Sequence, residues 1–215
     1  MEQKTSNAPR APTTGDWLTD TALQPLLEIN VQCIEMLREM ASRRDPGAGQ
    51  AAVVNELRSL WLGLSADTIL QMAACPFLLV DAGFNDEARW RALQKSSVHD
   101  TPRDTASSCF GAELSAAFSR RVLTYGWHLA RAHAQVARVA LGMSPNCARS
   151  IGSLSLRDLD WVSEQQPGWV RLRWESQPVI WRQFLNAAVN NDRTALQHMS
   201  LRGIQLMGAG ALGRT

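Results

Sequence analysis

The sequence predicts a mainly α-helical protein made of two divergent copies of one helical unit, with long helices packed together and a short extended connection in each copy. Three observations support this fold class. Apolar residues recur at spacings of three and four along most of the chain, which is the period of an amphipathic helix. A Leu-Ser pair precedes a short helix twice, 90 residues apart. A short extended run and a tryptophan-bearing helix then follow each pair in the same order.

The first predicted unit spans residues 20–95, after a polar arm at 1–19 that is expected to be flexible. Its first helix is expected over about 21–41, where leucine and isoleucine line one broad face. A second amphipathic helix follows, and Ser65 is expected to cap a shorter one. The apolar run at 76–84 fits either a buried strand or a packed connection, because periodicity cannot separate these over so few residues.

A linker rich in serine, threonine and aspartate is predicted at 96–111, before a second unit at 112–206. This unit begins with one long helix over about 112–141, whose apolar residues have a heptad-like spacing. The residues of this stripe are Phe118, Val122, Tyr125, Leu129, Ala132, Val136 and Val139. Gly126 lies off the stripe, where its missing side chain leaves room for the close approach of another backbone.

The clearest signals for the ends of elements lie beyond this helix. Ser144, followed by proline, predicts an N-cap and a first helical residue. Ser155, with an aspartate three positions later, fits a loose capping box that starts a second short helix. A Pro-Gly pair ends that helix, and the alternation of apolar and polar residues over 169–174 predicts a short extended segment before the next helix.

The two predicted units share several residues at a nearly constant offset. The aligned residues are Leu64-Ser65 with Leu154-Ser155 and Phe84 with Trp174, both at an offset of 90, and Trp90 with Trp181 after a one-residue slip. Because the order of helices and extended runs also agrees, we interpret the units as copies of one ancestral unit. A duplication of this kind commonly imitates a homodimer within one chain.

Charge is distributed unequally between the halves. Residues 1–112 carry 10 basic and 14 acidic side chains, whereas residues 113–215 carry 12 basic and 6 acidic ones. The basic half can face an anionic partner such as nucleic acid, or the acidic half of the same fold or of a second copy. On the predicted long helix, arginines and a tryptophan share a face, a composition that suits phosphate contact and equally a subunit interface. The candidate contact residues are Arg120, Arg121, Trp127, Arg131, Arg138 and Arg149.

Signatures of catalysis and of cofactor binding are weak. Residues 208–213 satisfy G-x-G-x-x-G formally but lack the flanking strand and helix, so 207–215 is predicted to be a flexible tail. His128 and His133 are five positions apart, which directs them to different faces of a helix, and the four cysteines are scattered. No enzyme activity, cofactor, metal or small-molecule substrate is therefore expected. The chain also lacks an apolar segment of membrane-spanning length and a signal-like segment, which predicts a cytoplasmic protein without membrane contact.

Several short motifs follow the long helix of the second copy. They are Ala140-Leu141-Gly142-Met143-Ser144, Leu154-Ser155, Val170-Arg171-Leu172-Arg173-Trp174-Glu175 and Trp181. This series resembles the bacterial flagellar master regulator subunit FlhD, in which a long helix leads to an LGIS turn, an LS-capped helix, an FRF segment followed by acidic residues, and a final helix. The first copy agrees at Leu64-Ser65 and Phe84-Asn85-Asp86 but has no equivalent of Gly142-Met143-Ser144, so the resemblance covers about half of the chain.

The resemblance implies a small helical protein that activates transcription together with a zinc-bearing partner subunit. The expected function is therefore that of a transcription-regulatory subunit acting through protein contacts, with DNA-backbone contact by the arginine-rich helix. Direct major-groove reading is not expected, because the second helix of a helix-turn-helix at 145–165 carries three acidic residues. The alternative is a helical adaptor or assembly protein with no nucleic-acid role, and burial of the arginine face against acidic residues of the first unit would favour it.

Overall fold

Helices account for most of the residues that the computed structural model describes, which are 20–43, 52–95, 110 and 112–212. The elements in chain order are α1 (Asp20–Ser42), α2 (Ala52–Glu56), α3 (Arg58–Leu62), α4 (Ala66–Ala73), β1 (Val80–Asp81), α5 (Glu87–Lys95), α6 (Ala112–Ala132), α7 (Ala134–Leu141), α8 (Pro145–Gly152), α9 (Leu156–Gln165), a 3-10 turn (Pro167–Trp169), β2 (Arg171–Leu172), α10 (Pro178–Val189) and α11 (Arg193–Leu212). The mainly α-helical fold is thus confirmed. None of the described helices combines the length and the apolar character needed to cross a membrane.

The arm predicted at 1–19 lies outside the described residues, and so does the linker predicted at 96–111 except for Phe110. Phe110 is buried, and its ring centroid lies 5.1 Å from that of Phe118 on α6. At least one residue of the segment predicted as a linker is therefore part of the core.

Local sequence signals correctly predict how three helices begin. Ser144 caps α8 by accepting a backbone N–H through its hydroxyl group, and a proline occupies the first helical position. At α9, Ser155 Oγ accepts from the Asp158 N–H at 3.2 Å, while the Ser155 N–H donates to the Asp158 carboxylate at 2.8 Å. Ser65 and Thr68 form the same reciprocal pair of bonds at α4. The capping box predicted at Ser155 is therefore complete, and the cap predicted at Ser65 is part of a second one.

The prediction of a single long helix over 112–141 is wrong, because the segment forms two helices, α6 and α7. His133 lies at the break with φ −144° and ψ 60°, outside the helical region. Val136 is buried beyond the break, whereas Ala132 and Val139 of the predicted stripe are exposed. A seven-residue pattern drifts around a straight helix, and the break instead redirects α7 so that it packs against α8.

One apolar core extends across both predicted units. Helix α1 packs against α4, α6 packs against α8 and α9, and α10 packs against α3 and α4. Trp61 on α3 and Trp181 on α10 are fully buried, with ring centroids 5.5 Å apart. Trp90 on α5 is also buried and meets Trp169 edge to face at 5.3 Å. These four tryptophans are therefore core residues that join the two halves.

A two-stranded antiparallel ribbon lies between the halves. Val80 pairs with Leu172 and Asp81 pairs with Arg171, so β1 comes from the first half and β2 from the second. The extended runs predicted at 76–84 and 169–174 therefore contain strands of only two residues each.

The structure corrects two further predictions that rest on glycine. Gly126 makes room for the side chain of Phe84, rather than for another backbone. The flexible tail predicted at 207–215 is wrong for 207–212, which continue α11, while 213–215 lie outside the described residues. Met207 is buried and faces Gly142, and this packing offsets the low helix propensity of the glycines nearby.

Candidate interaction surfaces

Two of the candidate arginines form ion pairs with carboxylates of the same chain. Arg120 Nε lies 2.7 Å from Asp160 on α9, and Arg121 Nη2 lies 2.6 Å from Glu28 on α1. Arg121 also donates to Gln32 at 3.0 Å, so it links the two halves. All four charged side chains stay between 38% and 59% exposed, so these pairs neutralise charge at the surface and contribute little stability.

Trp127 and Arg131 form a stacked pair on α6. The Arg131 guanidinium carbon lies 4.7 Å from the centroid of the indole ring, which is cation–π geometry. The indole is half-buried and donates its N–H to the Leu154 carbonyl oxygen at 2.9 Å, where α8 gives way to α9. Trp127 therefore anchors that turn, while the Arg131 head group reaches the surface.

Arg138 and Arg149 occupy exposed positions on α7 and α8. Arg138 donates to Gln135 at 3.5 Å, and Arg149 donates to the Asn146 side chain. Among the described residues, neither they nor Arg131 form an ion pair with a carboxylate. The candidate face thus divides into a neutralised pair, Arg120 and Arg121, and three exposed cations, which are Arg131, Arg138 and Arg149.

A carboxylate that the sequence does not single out holds the start of α8. Glu87 on α5 accepts hydrogen bonds from the Asn146 amide at 2.7 Å and from the Ser144 hydroxyl at 3.0 Å. Those two bonds, first from Asn146 and then from Ser144, lower the pKa of Glu87 below its usual value. The sequence marks Glu87 only as an acidic residue at a helix start, so its contact with another helix is not predictable from local pattern.

A polar cleft of about 570 Å³ lies beside the β1–β2 ribbon. Arg173, only 10% exposed, donates to the carbonyl oxygens of Leu78 at 2.8 Å and Leu141 at 2.6 Å, and lies 3.7 Å from Asp81. Burial lowers its pKa from the usual value, and the carboxylate nearby opposes this shift. The guanidinium is thus engaged by its own chain, which makes it a structural tie between the halves. In the sequence, the alternation of Arg173 with apolar residues predicts only an extended segment, and not this contact between the halves.

Arg89, on the same cleft, is engaged in a similar way. Its guanidinium carbon stacks over Trp169 at 5.0 Å, and its Nε lies 3.5 Å from the Asp86 carboxylate. The arginines of the cleft already contact backbone carbonyls, carboxylates and an indole ring of the same chain. The cleft is therefore a region where side-chain contacts hold the two halves together.

The histidines and cysteines give no metal site among the described residues. The His128 and His133 rings lie 6.2 Å apart, so the prediction that they point to different faces is wrong, because the helix breaks at His133. No group of three or more histidine, cysteine or carboxylate side chains in the described part of the chain is placed to hold a metal ion. Burial raises the pKa of Cys75 to about 12, so its thiol stays protonated at neutral pH.

Neither models of known protein families, nor curated proteins, nor solved structures match this chain. Its class therefore follows from the fold and from the surfaces described above. Both describe a helical protein, and the exposed arginines and the grooves of its described residues are the candidate sites. The resemblance to FlhD stays a prediction.

Proposed function

We propose that this protein is a transcription-regulatory subunit resembling FlhD, in which one chain supplies both halves of a helical dimer. The pairing of one short strand from each half is the observation that carries this proposal. Val80 pairs with Leu172 and Asp81 with Arg171, so β1 of the first half and β2 of the second half meet in antiparallel orientation. Two equivalent strands that meet across the two-fold axis of a homodimer are also antiparallel.

Hydrogen bonds around the ribbon support the same interpretation. Trp90 donates its indole N–H to the Gly83 carbonyl at 2.8 Å, and Trp181 donates to the Arg173 carbonyl at 2.7 Å. Gly83 and Trp174, one at the end of each extended run, both have a positive φ, of 69° and 52°. The capping boxes of α4 and α9 and the acceptors of the two indole bonds correspond at an offset of 90, whereas the positive-φ residues and the two tryptophans correspond at an offset of 91. The same order of cap, turn and indole bond, with a one-residue slip, supports two divergent copies.

The divergence of the copies determines what the protein contacts. A dimer of identical subunits presents two equal faces, whereas here one half is acidic and the other basic. We infer that the chain binds a separate partner subunit asymmetrically, and that contact with the DNA backbone comes from Arg131, Arg138 and Arg149. Arg120 and Arg121 contribute less, because nearby carboxylates already neutralise them.

A specific observation favours the second candidate, a helical adaptor with no nucleic-acid role. The ion pair between Arg121 and Glu28 joins the candidate face to the acidic first half at 2.6 Å. If the role of the basic residues is to neutralise the acidic first half, the protein needs no phosphate partner. The pair is half-exposed rather than buried, and three cations lack such a partner among the described carboxylates, so we place the regulator first.

Salt-dependent binding to duplex DNA tests the proposal. The wild-type chain is compared with an Arg131/Arg138/Arg149→Ala variant and with a control, Arg120/Arg121→Ala, whose arginines are already paired. We expect affinity to fall with salt, and the slope of log K against log salt to decrease by roughly 0.9 for each phosphate that the first variant no longer neutralises. The control should change the slope by less. An absence of binding at low salt would remove direct DNA contact and leave the adaptor.

A further inference from the structure

An apolar groove of about 590 Å³ runs between α4 and α11, and none of the candidate arginines lines it. Ala74 and Pro76 line one side, and Leu196, Leu201 and Ile204 line the other. Leu201 is 60% exposed, so its apolar surface at the edge of the groove is in water. A concave apolar surface with an exposed leucine at its rim is typical of a site that another protein surface covers.

Gln71 places an unsatisfied acceptor in this groove. Its Oε1 atom is buried and accepts no hydrogen bond from any described residue. A buried acceptor without a donor destabilises a fold, so a surface that brings a donor to Gln71 is favoured. Gln197, exposed on α11 in the same groove, has a side-chain amide that can donate.

Charges of both signs border the hollow that adjoins the groove. Asp67 on α4 and Arg193 on α11 both line it, and neither forms an ion pair with another described residue. The same face therefore carries an acid and a base, a donor and an acceptor, and apolar groups. Such a set is self-complementary, which is what a two-fold interface between identical chains requires.

We propose that the groove between α4 and α11 is the surface through which two copies of this chain associate. Leu201 of each copy enters the groove of the other, the Gln71 side chain rotates outward so that its Oε1 accepts from Gln197, and Asp67 pairs with Arg193 across the interface. The α11 residues that line the groove lie between Arg193 and Ile204, about 18 Å of helix, so the interface is small and the dimer should dissociate on dilution.

Sedimentation of the full chain over a wide range of concentrations tests this proposal. We expect the wild type to pass from monomer to dimer, and Leu201→Asp to weaken dimerisation by about tenfold or more. Val179→Asp is the matched control, because Val179 is 58% exposed on α10 and does not line the groove. A wild type that stays monomeric throughout, or a control as disruptive as Leu201→Asp, would contradict the proposal.

Reciprocal charge exchange tests the proposed contacts even if Leu201→Asp folds poorly. Asp67→Arg and Arg193→Asp should each weaken dimerisation, and the double variant should recover most of the original affinity. Gln71→Leu should also weaken dimerisation while making the isolated monomer more resistant to urea, since it removes the unsatisfied acceptor. No recovery in the double variant, or binding of an unrelated protein by a monomeric chain through this groove, would overturn self-association. Neither outcome bears on the DNA titration, which tests the regulator separately.

Discussion

Gly126 lies against the ring of Phe84, so closely that a Cβ atom at Gly126 would be 2.7 Å from Phe84 Cε1. Gly126 belongs to α6 of the second half, and Phe84 follows β1 of the first half. The phenyl ring is fully buried, so it cannot swing out into solvent to make room for a Cβ. The missing side chain at Gly126 is therefore what lets α6 approach the first half.

Gly126→Ala should destabilise the protein, although alanine is the better helix former. Overpacking of a buried site costs about 1–3 kcal/mol, which exceeds the gain of about 1 kcal/mol from helix propensity. Gly208→Ala is the control, because nothing lies within 4 Å of a Cβ at that helical position. We expect it to stabilise the fold by about 0.5–1 kcal/mol. Urea unfolding of both variants measures the difference, and a Gly126→Ala variant as stable as Gly208→Ala would contradict this assignment.

Asn30 on α1 ties the helical part of the first half to the segment that enters β1. Its side-chain amide donates to the Ala73 carbonyl at 3.1 Å and the Phe77 carbonyl at 2.9 Å, and its Oδ1 accepts from the Leu79 N–H at 2.9 Å. The residue is completely buried. Removing the amide leaves up to three buried backbone groups without these partners.

Asn30→Ala should therefore reduce the free energy of unfolding by about 2–3 kcal/mol, since each unsatisfied buried group costs about 1–3 kcal/mol and the Phe77 carbonyl keeps the Cys75 thiol as a donor. Asn55→Ala provides the control, because Asn55 is exposed on α2, and it should change stability by less than about 0.5 kcal/mol. Chemical unfolding followed by circular dichroism distinguishes them. If Asn30→Ala matched Asn55→Ala, water would have to satisfy the freed groups.

The sequence predicts those features that short-range chemistry determines. A serine hydroxyl can bond the backbone three residues later whatever surrounds it, so the caps at Ser144 and Ser155 are readable from the chain. The break at His133 and the helix through Met207 depend instead on distant contacts, and no local pattern marks them. The arginine face shows the same limit. Its positions are visible in sequence, but the pairing of Arg121 with Glu28 arises only when α1 and α6 pack together.

The contact of Glu87 with Asn146 and Ser144 predicts a dependence of stability on pH. Because the folded state lowers the pKa of Glu87, the ionised carboxylate stabilises the fold at pH values above the usual 4.5, and that contribution disappears as pH falls through the folded value. Glu87→Gln should thus be less stable than the wild type at neutral pH, and the difference in stability between the two proteins should become smaller in acid. Thermal melts across that range measure it.

Glu56→Gln is the control for this pH series, since Glu56 is exposed on α2 and forms no ion pair with the described residues. Its stability should follow that of the wild type at every pH. If the difference in stability between Glu87→Gln and the wild type stayed constant into acid, the shape of the Glu87 side chain rather than its charge would hold the start of α8.

Arg171 and Arg173 belong to one sequence pattern but should contribute very differently to the free energy of unfolding. They are two positions apart on the same extended run, yet Arg171 is exposed and donates to the nearby Gly168 carbonyl, whereas Arg173 bonds Leu78 and Leu141 from a largely buried position. Lysine keeps the charge but has no planar fork, so it cannot reproduce both bonds.

Arg173→Lys should lower the free energy of unfolding by about 2–3 kcal/mol, because at least one buried carbonyl loses its charged donor. Arg171→Lys should change it by less than about 0.5 kcal/mol, as expected of an exposed position. Urea midpoints at neutral pH give both values. Equal effects would show that the ribbon does not rely on Arg173, and the seam between the halves would then depend on the packing of Trp61 with Trp181 and of Trp90 with Trp169.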